Sequence, residues 1–282
     1  MTLPTYASAT ERVVYYIYLL FCAAVLLFLI APILIIVPLS FNATPYFTFT
    51  EGMLNLDPDA YSLRWYQAML TSEQWLLALK NSTFIALAAT LIATVLGTLA
   101  AMGLANSRLP LRNTIMALLI SPMIVPLIIS AAAMYFFYTR LGISQTFVGI
   151  ILAHAALGTP FVVITVTATL SGFDHTLVKA GYSLGAGPVY TFRHVTLPLI
   201  RPGMISGALF AFGTSFDEVV VALFLTGAEQ KTVPRQMWSG IREQISPTIL
   251  AVASMLILMS VLLLVTLELL RRRNARIRGV AE

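Results

Sequence analysis

Six apolar stretches fill most of this chain, at residues 13–39, 82–105, 113–138, 145–170, 202–225 and 248–270. Each is long enough to cross a bilayer. A hydrocarbon layer of about 30 Å takes roughly 20 helical residues, and a helix satisfies its own backbone polar groups where no water can. The chain is therefore expected to be an all-α membrane protein of six spans. Composition agrees, with 59% apolar residues, 10% charged residues and a mean hydropathy of +0.87, against about 25% charge in a soluble domain. No remaining segment is long enough for a soluble domain, so residues 1–282 are read as one membrane domain. The first stretch exceeds a signal-peptide core of roughly 7–15 residues and no small-residue cleavage site follows it. It is expected to stay in the mature protein, peripheral to a core of residues 81–270.

Charge sets the expected orientation. Placing both termini in the cytoplasm puts eleven of the seventeen basic residues inside, among them Arg12, Arg108, Arg112, Lys179, Arg193, Arg201 and the run from Arg271 to Arg278. The six left outside are matched by six acids in the same loops, so the positive-inside rule selects this arrangement. The net charge of +5 resides at span ends, which suits lipid headgroups and argues against nucleic acid. Arg271 to Arg273 read as a headgroup anchor. Tyr61, Trp65, Tyr66 and Trp75 in the first outer segment read as an aromatic belt at the membrane surface. Cys22 is the single cysteine, which rules out a disulfide framework within the chain. His154, His175 and His194 lack metal-ligand spacing, so no metal site is expected. Nothing resembles a serine-hydrolase or zinc-protease motif, and no catalytic residue is expected.

Residues 171–200, between the fourth and fifth spans, are too polar for lipid and fall on the cytoplasmic side. Asp174 is a good N-cap. Phe173, Leu177, Gly181 and Leu184 share one helical face, and Gly185 sits where a C′ glycine ends a helix. Pro188 can open a second short helix, and Pro198 is expected to stop it before the fifth span. Two short helices standing off the membrane suit a docking surface.

The loop resembles that of the membrane subunits of ABC importers, which reads Glu-Ala-Ala, three residues, Gly, nine residues, then Ile-x-Leu-Pro. Here Lys179, Ala180 and Gly181 take the first three places, Gly185 the glycine, and Val195, Thr196, Leu197 and Pro198 the last four. The offsets match throughout. Lys179 replaces the family's acid and Gly181 its second alanine, so the geometry is kept and a charge is reversed. The resemblance implies a coupling helix that seats in an ATPase subunit, with Lys179, Ala180, Gly181, Gly185, Leu197 and Pro198 at that contact.

In the fifth stretch, Phe216, Asp217 and Glu218 place two acids inside an apolar run with no neighbouring base. A charge at mid-bilayer costs at least about 2.5 to 3.5 kcal/mol, so such residues face a bundle interior, a partner or a water-filled path. On a continuous helix the two would lie about 100° apart. The alternative for either acid is a structural tie to a neighbouring span. The run Ser-Phe-Asp-Glu-Val-Val-Val, followed by Phe-Leu-Thr-Gly, resembles the fifth-span signature of polyamine-type ABC permeases, with opine permeases sharing similar runs. A cationic substrate would give Asp217, Glu218 and Phe216 a purpose as pathway residues.

Taken together, the resemblance covers roughly residues 81–270. It implies a type I ABC importer permease fold in a bacterial inner membrane, moving putrescine, spermidine or related small organic cations. It implies four kinds of partner contact: a second, homologous permease subunit, two ATPase subunits, an external substrate-binding protein, and lipid. No Gly-x-x-x-x-Gly-Lys-Ser/Thr motif occurs, so ATP and Mg would be held by the ATPase subunits, and this chain is not expected to be an enzyme or to bind a cofactor. The rival reading is a channel or ion-gradient-driven transporter using Asp217 or Glu218, which has no need of the Gly185 to Pro198 spacing. A membrane scaffold leaves the buried acids unexplained.

Overall fold

The computed structural model describes residues 8–105, 109–174, 176–243 and 246–277. Arg108, His175 and Arg278, singled out above, lie outside the described residues. The elements in chain order are α1 (Ala9–Leu39), α2 (Glu51–Leu54), a 3₁₀ turn (Pro58–Ala60), α3 (Arg64–Thr71), α4 (Glu73–Leu104), α5 (Arg112–Ile124) and α6 (Leu127–Arg140). They continue with α7 (Phe147–Ser171), α8 (Thr176–Ser183), α9 (Pro188–Thr191), a π-helical turn (Phe192–Thr196), α10 (Leu197–Asp217), α11 (Val220–Leu225), α12 (Val233–Glu243) and α13 (Thr248–Ile277). Five helical runs are long and apolar enough to span a membrane, or six if the bent pair α5–α6 counts as one span. The chain packs as two compact units, residues 1–70 with 244–258, and residues 71–243 with 259–282.

In the first unit, α1 starts with a capping box in which the Ser8 hydroxyl accepts from the Glu11 N–H, and only Leu39 is buried along its length. Beyond α1 the chain ties itself into a small polar knot. Asn42 donates to the carbonyls of Tyr46 and Thr48, and its side-chain oxygen accepts from Thr44. The Trp65 indole N–H donates to the Asn42 carbonyl at 2.7 Å, the Tyr66 and Ser40 hydroxyls pair at 2.7 Å, and the Tyr61 hydroxyl donates to the Met53 carbonyl. Arg64 lies 4.2 Å over the Trp65 ring. Trp65 is buried, which corrects the aromatic-belt expectation at that residue, while Tyr61 is exposed and Tyr66 half-buried. An indole N–H needs a partner when buried, and the turn after α1 supplies the Asn42 carbonyl.

The second unit is built around α4, α7 and α10, which pack on one another through small residues. A Cβ at Gly97 would lie 2.7 Å from the Val162 Cβ, one at Gly158 would lie 2.9 Å from the Ala211 Cβ, and one at Gly207 would lie 2.7 Å from the Val162 Cα. Ala93, Ala101, Val162, Val166, Leu170, Ile200 and Ala211 form the core of this seam. Between membrane helices there is no water to expel, so close backbone approach through small residues is what holds the spans together. Gly97 thus lets α4 approach α7 closely. Gly103 has open space where a Cβ would be and does not. A second core joins Ile85, Ala131, Ile150, Ala153, Leu157, Val221, Ala222 and Leu225.

Two spans are interrupted, the third more sharply than the kink that Pro122 and Pro126 lead one to expect. The third is not merely kinked: α5 and α6 meet at 100°. Val125 and Pro126 are both extended, with ψ of 134° and 125°. Proline drives the preceding residue out of the helical region and brings no N–H of its own, so a helix ends there. The fifth span breaks at Glu218, which is extended at ψ 118°.

The seam yields a paired prediction. Gly97→Ala should lower stability by about 1 to 3 kcal/mol through overpacking against Val162, whereas Gly103→Ala should be nearly neutral. Thermal unfolding of the two variants in detergent reads the difference.

Candidate functional site

The loop between α7 and α10 is set by local chemistry. The Asp174 carboxylate accepts the Thr176 N–H at 2.8 Å and the Thr176 hydroxyl at 2.7 Å, capping the start of α8. At the other end Gly185 has φ +82°. The Ala186 N–H reaches the Gly181 carbonyl and the Gly185 N–H the Tyr182 carbonyl, both at 3.0 Å. This is a Schellman stop, which requires the left-handed backbone that glycine adopts without strain. Pro188 then opens α9 in its first turn.

Between α8 and α9 lies a groove of about 640 Å³ lined by Gly181, Leu184, Gly185, Tyr190, Thr191 and Val195. A Cβ on Gly181 would come within 3.3 Å of the Thr191 hydroxyl, so the third position of the motif is where the two short helices touch. Leu184 is 88% and Val189 79% exposed. The apolar face expected on α8 is thus divided: Leu177 and Leu184 are exposed, while Phe173 packs against the α4–α7–α10 seam and Gly181 meets Thr191. Lys179 and Ala180 are exposed beside it.

Pro198 does not stop the helix, contrary to expectation. A single helical run continues from Pro188 to Asp217. The π turn lets the Leu197 N–H reach back to the Phe192 carbonyl, and this wider turn just before Pro198 accommodates a ring that an α-turn would exclude. Leu197 and Pro198 therefore line a different cleft, with Arg193 and Arg201.

At the far end of α10 the acids part company. Asp217 ends the helix and is exposed. Glu218 is 8% exposed, and its carboxylate accepts the Val221 N–H at 2.8 Å, satisfying a donor that the break would otherwise orphan at the start of α11. Phe216 is buried, with its ring 5.6 Å from that of Phe212. The expectation of neighbouring positions on one helix does not hold, because the chain becomes extended between them.

Three ties near this region escaped the sequence reading. His154 Nδ1 and the Ser215 hydroxyl are 2.8 Å apart and join α7 to α10 just before the break. The Asn81 amide donates to the Glu229 and Lys231 carbonyls at 2.7 and 3.0 Å, and the Ser82 hydroxyl accepts the Val233 N–H at 2.8 Å. Arg235 donates to the carbonyls of Thr226 and Gly227 and to the Thr226 hydroxyl, closing the end of α11. Their signal was present as polar residues opening an apolar run and an arginine in the outer segment before the last span, but the partners lie up to 151 positions away.

Residues 93–276 match the family described as binding-protein-dependent transport system inner membrane component. The chain belongs to that family and is a multi-pass permease component of a bacterial inner-membrane transport system. Among curated relatives, it is 31% identical over 254 residues to the spermidine/putrescine transport system permease protein PotC of Haemophilus influenzae, covering 90% of this chain and 96% of that one. It is 31% identical over 237 residues to the putrescine transport system permease protein PotI of Escherichia coli, covering 82% of each. Among solved structures, a chain of a bacterial ABC transporter involved in import of alginate superposes with a TM-score of 0.71 at 16% identity, over 94% of this chain and 99% of that one. The permease fold of ABC importers is thereby established.

Glu218→Ala should leave the Val221 N–H buried without an acceptor and lower stability by about 1 to 3 kcal/mol. Glu218→Gln, which keeps an acceptor oxygen, should unfold close to the wild-type temperature in detergent.

Proposed function

We propose that this chain is the permease subunit through which an ATP-driven importer moves putrescine or spermidine. The observation that carries the reading is the exposed Asp217 carboxylate at the C-terminal end of α10, where the fifth span breaks. A helix C-terminus carries partial negative charge, and a carboxylate there adds a full one. Broken spans place such groups beside transported ions in other membrane proteins. An ammonium group pairs with a carboxylate through charge-assisted hydrogen bonds, and a diamine or triamine offers several along a flexible chain. The spermidine and putrescine permeases among the relatives support the same substrate class.

On this reading both termini are cytoplasmic and the α8–α9 groove faces the ATPase. A second homologous permease and two ATPase subunits complete the membrane assembly, and an external binding protein delivers the substrate. ATP is hydrolysed on the ATPase subunits, while this chain supplies the path and the coupling contact. Lys179 then calls for an acidic patch on the ATPase where the family's glutamate meets a different surface. Closure of the ATPase pair moves the groove, and the continuous helix from Pro188 to Asp217 carries that movement to the break.

Two experiments test the two ends. In vesicles holding the native complex, ATP-dependent uptake of labelled putrescine and spermidine should fall at least about tenfold for Asp217→Asn, the loss of one charge-assisted contact of roughly 1.5 to 3 kcal/mol. Assembly should be unchanged. Wild-type vesicles that move neither compound would overturn the substrate class.

At the coupling end, Gly185→Asp should abolish transport with membrane insertion intact, because a side chain at φ +82° strains the Schellman stop. Normal uptake by that variant would remove the coupling role from the loop.

A further inference from the structure

One stripe of the helix running from Pro188 to Asp217 is divided in character. Arg193, Leu197, Arg201, Met204 or Ile205, and Ala208 recur at steps of three or four, so they share one face. With Thr94 of α4 they line a cleft of about 500 Å³. Its first half carries two guanidinium groups and its second half is apolar. Both arginines are exposed, and among the described residues neither takes part in an ion pair. The Thr94 hydroxyl, on the facing wall, is buried with no hydrogen-bond partner among the described residues.

We propose that this cleft binds an acidic phospholipid. The phosphate sits between Arg193 and Arg201, where guanidinium forks can bond phosphate oxygens in pairs. An acyl chain lies along Met204, Ile205 and Ala208. Dimensions suit this occupant: from Arg193 to Ala208 is about 22 Å at 1.5 Å per residue, and one leaflet offers about 15 Å of hydrocarbon plus its headgroup layer. A soluble phosphate would use only the arginines and leave the apolar half of the cleft in water. Basic pockets between spans are general sites of anionic headgroup recognition. The site lies on the helix that links the α8–α9 groove to the broken span, so a bound lipid would bias the position of that helix. The lipid proposal needs only the membrane location and stands apart from the polyamine reading.

The test uses the complete transporter in nanodiscs of phosphatidylcholine with a minor fraction of phosphatidylglycerol or cardiolipin. Native mass spectrometry after transfer to detergent should find acidic lipid retained in preference to phosphatidylcholine. Retention should fall about tenfold or more when Arg193→Gln and Arg201→Gln remove both charge-assisted contacts. Inorganic phosphate in solution should not displace the lipid. A benzophenone probe carried at position 205 in place of Ile205, with both arginines intact, should crosslink to phospholipid. Equal retention by the double variant, displacement by inorganic phosphate, or a crosslink from position 205 to a protein chain would each overturn the proposal.

Discussion

In hydrocarbon a backbone N–H or C=O without a partner costs several kcal/mol, and every irregular feature of this chain answers to that constraint. Helices satisfy it by themselves, so what needs explaining is where a helix is interrupted. At Val125 and Pro126 the interruption follows from proline, which brings no donor to satisfy. At Glu218 it is made tolerable by a side chain, since the carboxylate turns back to hold the Val221 N–H. Arg235 does the same for carbonyls at the other end of α11. The six-residue helix α11 is thus capped by charged side chains at both ends, one on each side of its sequence.

The packing of α4, α7 and α10 decides how those features are used. Gly97, Gly158 and Gly207 bring the backbones of the three helices together at distances that a Cβ would block, and polar ties such as His154 to Ser215 add direction to that contact. The helix from Pro188 to Asp217, 30 residues long, spans about 45 Å at 1.5 Å per residue. One of its ends forms a wall of the α8–α9 groove and the other carries Asp217. One helical run thus connects the α8–α9 groove to the break, and the π turn beside Pro198 is its irregular point.

Much of this was legible in the sequence because it depends on local chemistry. Span count follows from apolar run length. Asp174, Gly185 and Pro188 specify their caps and stop through contacts within a few residues, and the structure places them as that local chemistry implied. The acids at positions 217 and 218 were conspicuous for a reason that needs no structure, which is the cost of charge in lipid. What could not be read was the difference between them. Asp217 and Glu218 are adjacent and chemically alike, and only the extended backbone at Glu218 buries one and exposes the other.

The same division runs through the rest of the chain. Trp65 carries every mark of a surface belt, yet it turns inward because the backbone after α1 offers its indole N–H an acceptor in the Asn42 carbonyl. Pro198 carries every mark of a helix stop, yet the helix runs through it because a wider turn precedes it. The sequence by itself determined that this is a helical membrane protein of several spans, with a capped pair of short helices between the fourth and fifth apolar stretches and two acids in the fifth, since hydropathy and caps act over a few residues. Only the tertiary structure decided which acid is exposed, which glycines join helices and which arginines face an open cleft. Those outcomes depend on partners that are distant in the chain, and no local pattern encodes the distance between them.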